Sequence, residues 1–200
     1  MKPAIPENSA RKRLLNAGTD LFSKHGFAGA SVRDICALGD TGINMIHHYF
    51  GNKQGLYDEI LSGFSEDVWT VPARIISHHP RSKDHMVSLL EIFIEETFEA
   101  LIANHQLFEL VVRERMVFET FASYSEKLSA FMKAAQTAGY MRSSADPTML
   151  TGFILDRVGN QVLYAAWIKE TTGDNVLTDK AYRQRWLHSN IDLMLNGFIA

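Results

Sequence analysis

The sequence predicts an all-α protein in which a small N-terminal group of three helices precedes a larger helical region. Three observations predict this. Apolar residues recur at spacings of three and four along nearly the whole chain, no segment shows the strict alternation of a half-buried strand, and a tight Gly-Asp-Thr-Gly turn at 39–42 separates two short helical segments. Hydrophobic residues make up 46% of the 200, enough to fill cores at this length, and no repeat or low-complexity stretch interrupts them.

Pro3 and Pro6 disfavour helix at the start, so an arm is expected there, with Asn8 or Ser9 capping the first helix. That helix runs to about His25 and buries a stripe of Leu14, Ala17, Gly18, Leu21 and Phe22, with Gly26 as its stop. Ser31 opens a second short helix as its cap, with Asp34 at the capping-box position and Val32, Ile35 and Cys36 turned inward. After the turn, Ile46 and Phe50 lie four apart on one face of a third. Two short helices across so short a turn make a helix-turn-helix.

From Gln54 onward the periodicity predicts long amphipathic helices near 54–78, with a kink or split at Pro72, and near 84–104, 106–121, 124–138, 147–170 and 178–198. The expected domains are therefore 1–53, an arm and helix-turn-helix, and 54–200, a helical domain.

Charge divides the same way. The net charge is −3, but residues 9–53 carry six Lys or Arg against three acids, whereas 54–200 carry 13 against 19. Only the N-terminal quarter suits a phosphate backbone. The lone Cys36 reads as a small core residue. With no leader pattern and no long uncharged apolar run, a soluble cytoplasmic protein without membrane contact is expected.

Enzyme chemistry has no foothold. The chain lacks a phosphate loop, a recognisable nucleophile and metal-ligand spacings such as HExxH or CxxC. Glu95 and Glu96 fall on different helix faces, and His78, His79 and His85 gather around Pro80 in what reads as a loop. The expectation is no enzyme, no cofactor and no metal.

The stretch HGFAGASVRDICALGDTGINMIHHYFGNKQGLYDEIL, His25 to Leu61, resembles the DNA-binding domain of TetR-family (TetR/AcrR) transcriptional regulators. The likeness rests on a glycine and aromatic ending the first helix, a capped VRDI helix, the turn, the Tyr49-Phe50 pair, and Asn52, Lys53, Leu56 and Tyr57 in order. It implies a regulator, commonly a repressor, that binds double-stranded operator DNA and is released by a small-molecule inducer. By position, Thr41, Gly42, Ile43, Asn44, Met45, His47 and His48 fall where the family's recognition helix meets the major groove, and Asn44 has the amide suited to adenine. Ser31, Arg33 and Lys53 match positions that hold phosphates. Asp40 stands where the family has glycine in the turn, and His47 replaces its usual tyrosine.

The resemblance further implies a homodimer built through the last two helices, for which 150–168 and 186–199 supply small and large apolar residues such as Gly152, Gly159, Trp186, Leu193 and Phe198. It also implies an apolar effector cavity inside the C-terminal helices. Candidate walls are Phe93, Phe98, Phe108, Met116, Phe121, Tyr164 and Trp167. Candidate anchors are Arg113, Arg157 and Asn160.

Overall fold

The computed structural model describes residues 7–196, and every regular element among them is a helix. In chain order these are α1 Glu7–Gly29, α2 Val32–Leu38, α3 Asn44–Phe50, α4 Lys53–Ile75, α5 Lys83–Ala103, α6 His105–Arg113, α7 Val117–Thr137, α8 Pro147–Leu163, α9 Ala165–Thr172 and α10 Lys180–Asn196. None is long and apolar enough to cross a membrane. Contacts divide the chain into two compact units. The first ends at Ser65 and takes in Gln106–Met116; the second comprises Glu66–His105 and the chain from Val117 on.

In the first unit, α1 packs on α2 and α3, and Leu14, Ala17 and Phe22 of α1, Ile35 and Cys36 of α2, Ile46 of α3 and Leu56, Tyr57 and Phe64 of α4 are buried. Phe22, Phe27 and Tyr57 form an aromatic trio with centroids 4.9–6.0 Å apart. The expected capping of α2 is present: Ser31 Oγ accepts from the Asp34 amide at 3.1 Å and donates to the Asp34 carboxylate at 2.6 Å. Such a cap is worth about 1 kcal/mol. Between α3 and α4 the chain passes so closely that a Cβ on Gly55 would strike the Phe50 carbonyl oxygen.

The second unit is built on α5, which buries Met86, Leu90, Phe93, Ile94, Thr97 and Phe98 and packs against α8 and α10; α7 packs on α8. Asp146 caps α8 by accepting from the amides of Thr148 at 2.8 Å and Met149 at 3.0 Å, ahead of Pro147 in the first turn.

Several boundaries differ from the sequence reading. Helix α1 starts at Glu7, so Asn8 and Ser9 lie inside it; residues 1–6, the expected arm, and Phe198 are outside the described residues. The helix expected to 121 ends at Arg113, and the next begins at Val117, because Arg115 takes φ +60 while the amides of Glu114, Arg115 and Met116 bond back to α6 carbonyls. No glycine or proline announced that stop. Conversely, α4 continues through Pro72 to Ile75, and the helix expected over 147–170 divides at Tyr164, which adopts φ −92, ψ 17.

Candidate nucleic-acid interface

The turn between α2 and α3 depends on one residue with unusual backbone. Asp40 adopts φ +47, the left-handed region that aspartate tolerates better than most L-residues. Its neighbours close the C-terminus of α2: the Gly39 amide donates to Ile35 O at 2.9 Å and the Thr41 amide to Cys36 O at 2.9 Å. Arg13 of α1 grips the same turn, donating from Nε to Gly39 O at 2.7 Å and from Nη2 to Asp40 O at 3.0 Å.

This turn launches α3 with Ile46 fully buried beneath it and Gly42, Ile43, Asn44, His47 and His48 exposed, while Met45 is half-buried. The expected reading residues are thus brought together on one short helix and the turn before it. Thr41 is the exception, because its hydroxyl is buried and lacks a hydrogen-bond partner among the described residues. Ala10, Arg13, Thr41, Met45 and Tyr49 are among the residues lining a shallow hollow of about 560 Å³ beside this helix.

His47 Nδ1 lies 2.8 Å from the Gly51 carbonyl. A carbonyl only accepts, so Nδ1 carries the hydrogen in this bond. No lysine or arginine occurs between Arg33 and Lys53, so α3 itself carries no permanent cation.

Of the expected phosphate-holding residues, Arg33 is exposed on α2. The Ser31 hydroxyl is engaged in its cap. The Lys53 ammonium donates to Phe27 O at 2.7 Å and Ala30 O at 3.0 Å and stands 4.3 Å from the centre of the Phe27 ring. Lys53 therefore ties the start of α4 to the end of α1 and the residue just after it, with one N–H left over.

A second tie comes from the far end of α6. Arg113 Nη2 donates to Phe22 O at 3.1 Å and Ser23 O at 2.9 Å, and the Glu114 carboxylate accepts from the Phe27 amide at 3.3 Å. Tyr57 donates its hydroxyl to Met116 Sδ at 3.5 Å. Burial, followed by the nearby Glu114 charge, raises the Tyr57 phenol above its usual value. Sequence reasoning missed Arg13 and Glu114, and had Arg113 as a ligand anchor.

The ten effector candidates are divided between the two units. Phe108, Arg113 and Met116 belong to the first unit. In the second, Phe93 and Phe98 are fully buried and Phe121 nearly so, whereas Asn160 is exposed and Tyr164 and Trp167 are 57% and 62% exposed. Arg157 donates from Nε to Asn190 Oδ1 at 2.8 Å and stands 5.5 Å from the Trp186 ring centre. Among the described residues, no three His, Cys, Asp or Glu side chains gather closely enough to hold a metal ion.

A short helix set on a buried isoleucine, gripped by its turn and outward-facing along the other side, makes the first unit a helix-turn-helix domain of the DNA-docking kind. Residues 14–60 match the family model for bacterial regulatory proteins of the tetR family. The repressor KstR2 of Rhodococcus jostii is 26% identical over 160 residues, covering 75% of this chain and 76% of that protein. The regulator UidR of Escherichia coli is 25% identical, covering 73% and 76%. Two solved structures share the fold: the ketosteroid transcriptional regulator KstR2 of Mycobacterium tuberculosis (TM-score 0.71, 18% identity, 95% of each chain) and the fatty acid degradation regulator FadR of Bacillus halodurans (TM-score 0.68, 18% identity, 98% of each). Residues 14–60 thus carry a DNA-binding domain of the tetR-family type, and the chain is similar over three quarters of its length to a transcriptional repressor.

Proposed function

We propose that the chain is a homodimeric repressor that binds operator DNA through Gly42–His48 and lets it go when a small molecule binds the helical region 54–200. The observation that carries the DNA reading is the exposed side of α3, where Asn44 and His47 stand outward above buried Ile46. Asn44 pairs with adenine, and Ile43 and Met45 meet thymine methyls. Arg33, with Ser31 and Lys53 beside it, sets register on the phosphates.

Dimerisation is supported by large apolar side chains left in water at the end of the chain: Met149 is 75% exposed, Phe153 52%, Trp167 62% and Leu193 73%. Their position on α8 to α10 fits a contact through the last helices, since exposed apolar side chains gain by being covered. Two copies would present two α3 helices to successive major grooves.

Effector release follows as linkage. A ligand that favours a dimer with its α3 helices wrongly spaced lowers operator affinity by its preference for that state. The relatives named for ketosteroids and fatty acid degradation support an apolar effector.

The experiment is a mobility shift with DNA flanking the chain's own gene, combined with the solution mass of the free protein. A salt-dependent shift and a two-chain mass are expected. Absence of any shift at low salt, or a single-chain mass at working concentration, overturns the reading.

A further inference from the structure

The ring of His47 is held at one nitrogen and open at the other. Nδ1 lies 2.8 Å from the carbonyl oxygen of Gly51, where the chain leaves α3 with φ +76. The side chain is exposed, next to buried Ile46 and three residues after exposed Asn44. Residues three apart on a helix are neighbours, so Asn44 and His47 present their polar atoms to the same or adjoining base pairs.

The Gly51 carbonyl decides what Nε2 can do. A carbonyl oxygen accepts a hydrogen and has none to give, so Nδ1 keeps its hydrogen in both charge states of the ring while this bond stands. In the neutral ring Nε2 is then a bare acceptor, and in the cation it becomes an N–H donor. Histidine is the side chain whose ordinary titration falls between about pH 5 and pH 8. One atom therefore asks opposite things of DNA at the two ends of that range. In the major groove an acceptor suits the amine of adenine or cytosine, and a donor suits guanine, whose N7 and O6 both accept.

The rest of α3 leaves that choice to its histidines. Arginine and lysine, the usual partners of guanine, are absent from Asn44–Phe50. Around α3 the charged groups are Asp40 in the turn, Arg11 and Arg13 on α1, Arg33 and Asp34 on α2, and Lys53 and Glu59 on α4. Arg11 pairs with Glu59 and lies 5.5 Å from the Phe50 ring centre. Arg13 holds the turn carbonyls, Asp34 accepts from Ser31, and Lys53 holds Phe27 O and Ala30 O. His48 is the second titratable ring on α3, about 100° further round the helix, with its centroid 4.9 Å from that of Tyr49.

We propose that His47 is a proton-dependent base reader: when neutral it selects adenine or cytosine at one operator position, and when protonated it selects guanine there. The proposal rests on the DNA reading above, and the position lies beside the adenine held by Asn44.

The test is selection of bound sequences from a pool of randomised duplexes by the full-length chain at about pH 8 and about pH 5.5, repeated with His47→Gln and His48→Gln. For the wild type, guanine at one position beside the enriched adenine should rise about fivefold relative to adenine and cytosine at the lower pH, the effect of one hydrogen bond. His48→Gln should keep that change, and His47→Gln, which has no proton to gain, should lose it. The same base preference at both pH values, or a change that survives in His47→Gln or vanishes only in His48→Gln, overturns the proposal. A pool with no enriched motif at either pH contradicts the DNA reading itself. Nitrogen NMR of the free chain at the higher pH needs neither DNA nor a variant, so it decides even where a variant fails to fold. The neutral His47 ring should carry its hydrogen on Nδ1, and a hydrogen on Nε2 overturns the proposal while leaving the DNA reading intact.

Discussion

Arg13 Nε donates to the carbonyl oxygen of Gly39 at 2.7 Å, so a residue in the first turns of α1 holds the turn that launches α3. The second bond, to Asp40 O at 3.0 Å, falls on the residue with left-handed backbone. Both are charge-assisted, partly exposed bonds to carbonyls that the end of α2 would otherwise leave to water. Arg13→Met should therefore lower stability by about 1–3 kcal/mol in urea unfolding and weaken DNA binding beyond what the lost charge explains. An unchanged unfolding midpoint would show that the turn holds itself.

Thr41 is a hydroxyl where the turn wants hydrocarbon. Its Oγ1 is buried without a hydrogen-bond partner among the described residues, and valine has nearly its shape without the polar atom. Thr41→Val should stabilise the protein by about 1 kcal/mol, raising its melting temperature by about 2–4 °C for a chain of this size. A lower melting temperature would mean that the hydroxyl is satisfied in solution.

Gly26 and Glu114 constrain each other. Gly26 has φ +72, and a Cβ there would lie 2.6 Å from Glu114 Oε1. Gly26→Ala should destabilise by at least about 1–2 kcal/mol from the backbone conformation alone. Combined with Glu114→Ala, which removes the obstructing oxygen, the cost should fall short of the sum by about 1 kcal/mol. Strict additivity in the double-mutant cycle would contradict the contact.

Burial raises the Tyr124 phenol and so fixes a pH dependence. A group that holds its proton more tightly when folded contributes stability that is complete below its unfolded value of 10.0 and is lost as pH rises beyond it. Between pH 9 and about 11 the wild type should lose more stability than Tyr124→Phe, which has no proton to lose. Parallel urea curves for the two proteins across that range would contradict the burial of the hydroxyl.

Local features were legible in the sequence, and long-range ones were not. The Ser31–Asp34 cap and the burial of Ile46 under α3 follow from residues within a turn or two of each other, where spacing alone decides which side chains meet. The resemblance assigns Lys53 to phosphate, yet its ammonium lies against Phe27 O and Ala30 O, 26 and 23 residues away. Arg113 meets Phe22 O across 91 residues, a pairing no periodicity reveals. For Tyr164 and Trp167 the limit is different. An apolar stripe on a helix reads the same whether it faces a core or stands outward, and these two stand outward.

The measurement that bears most directly on the account is a fluorescence-anisotropy titration of a labelled DNA fragment from the chain's own flanking region with wild type and Asn44→Ala at one fixed salt concentration. Removing the amide from the exposed side of α3 should weaken specific binding by about 1–3 kcal/mol while leaving the weak binding to unrelated DNA as it was. Equal affinity of the two proteins for the specific fragment would contradict the claim that this helix reads the operator.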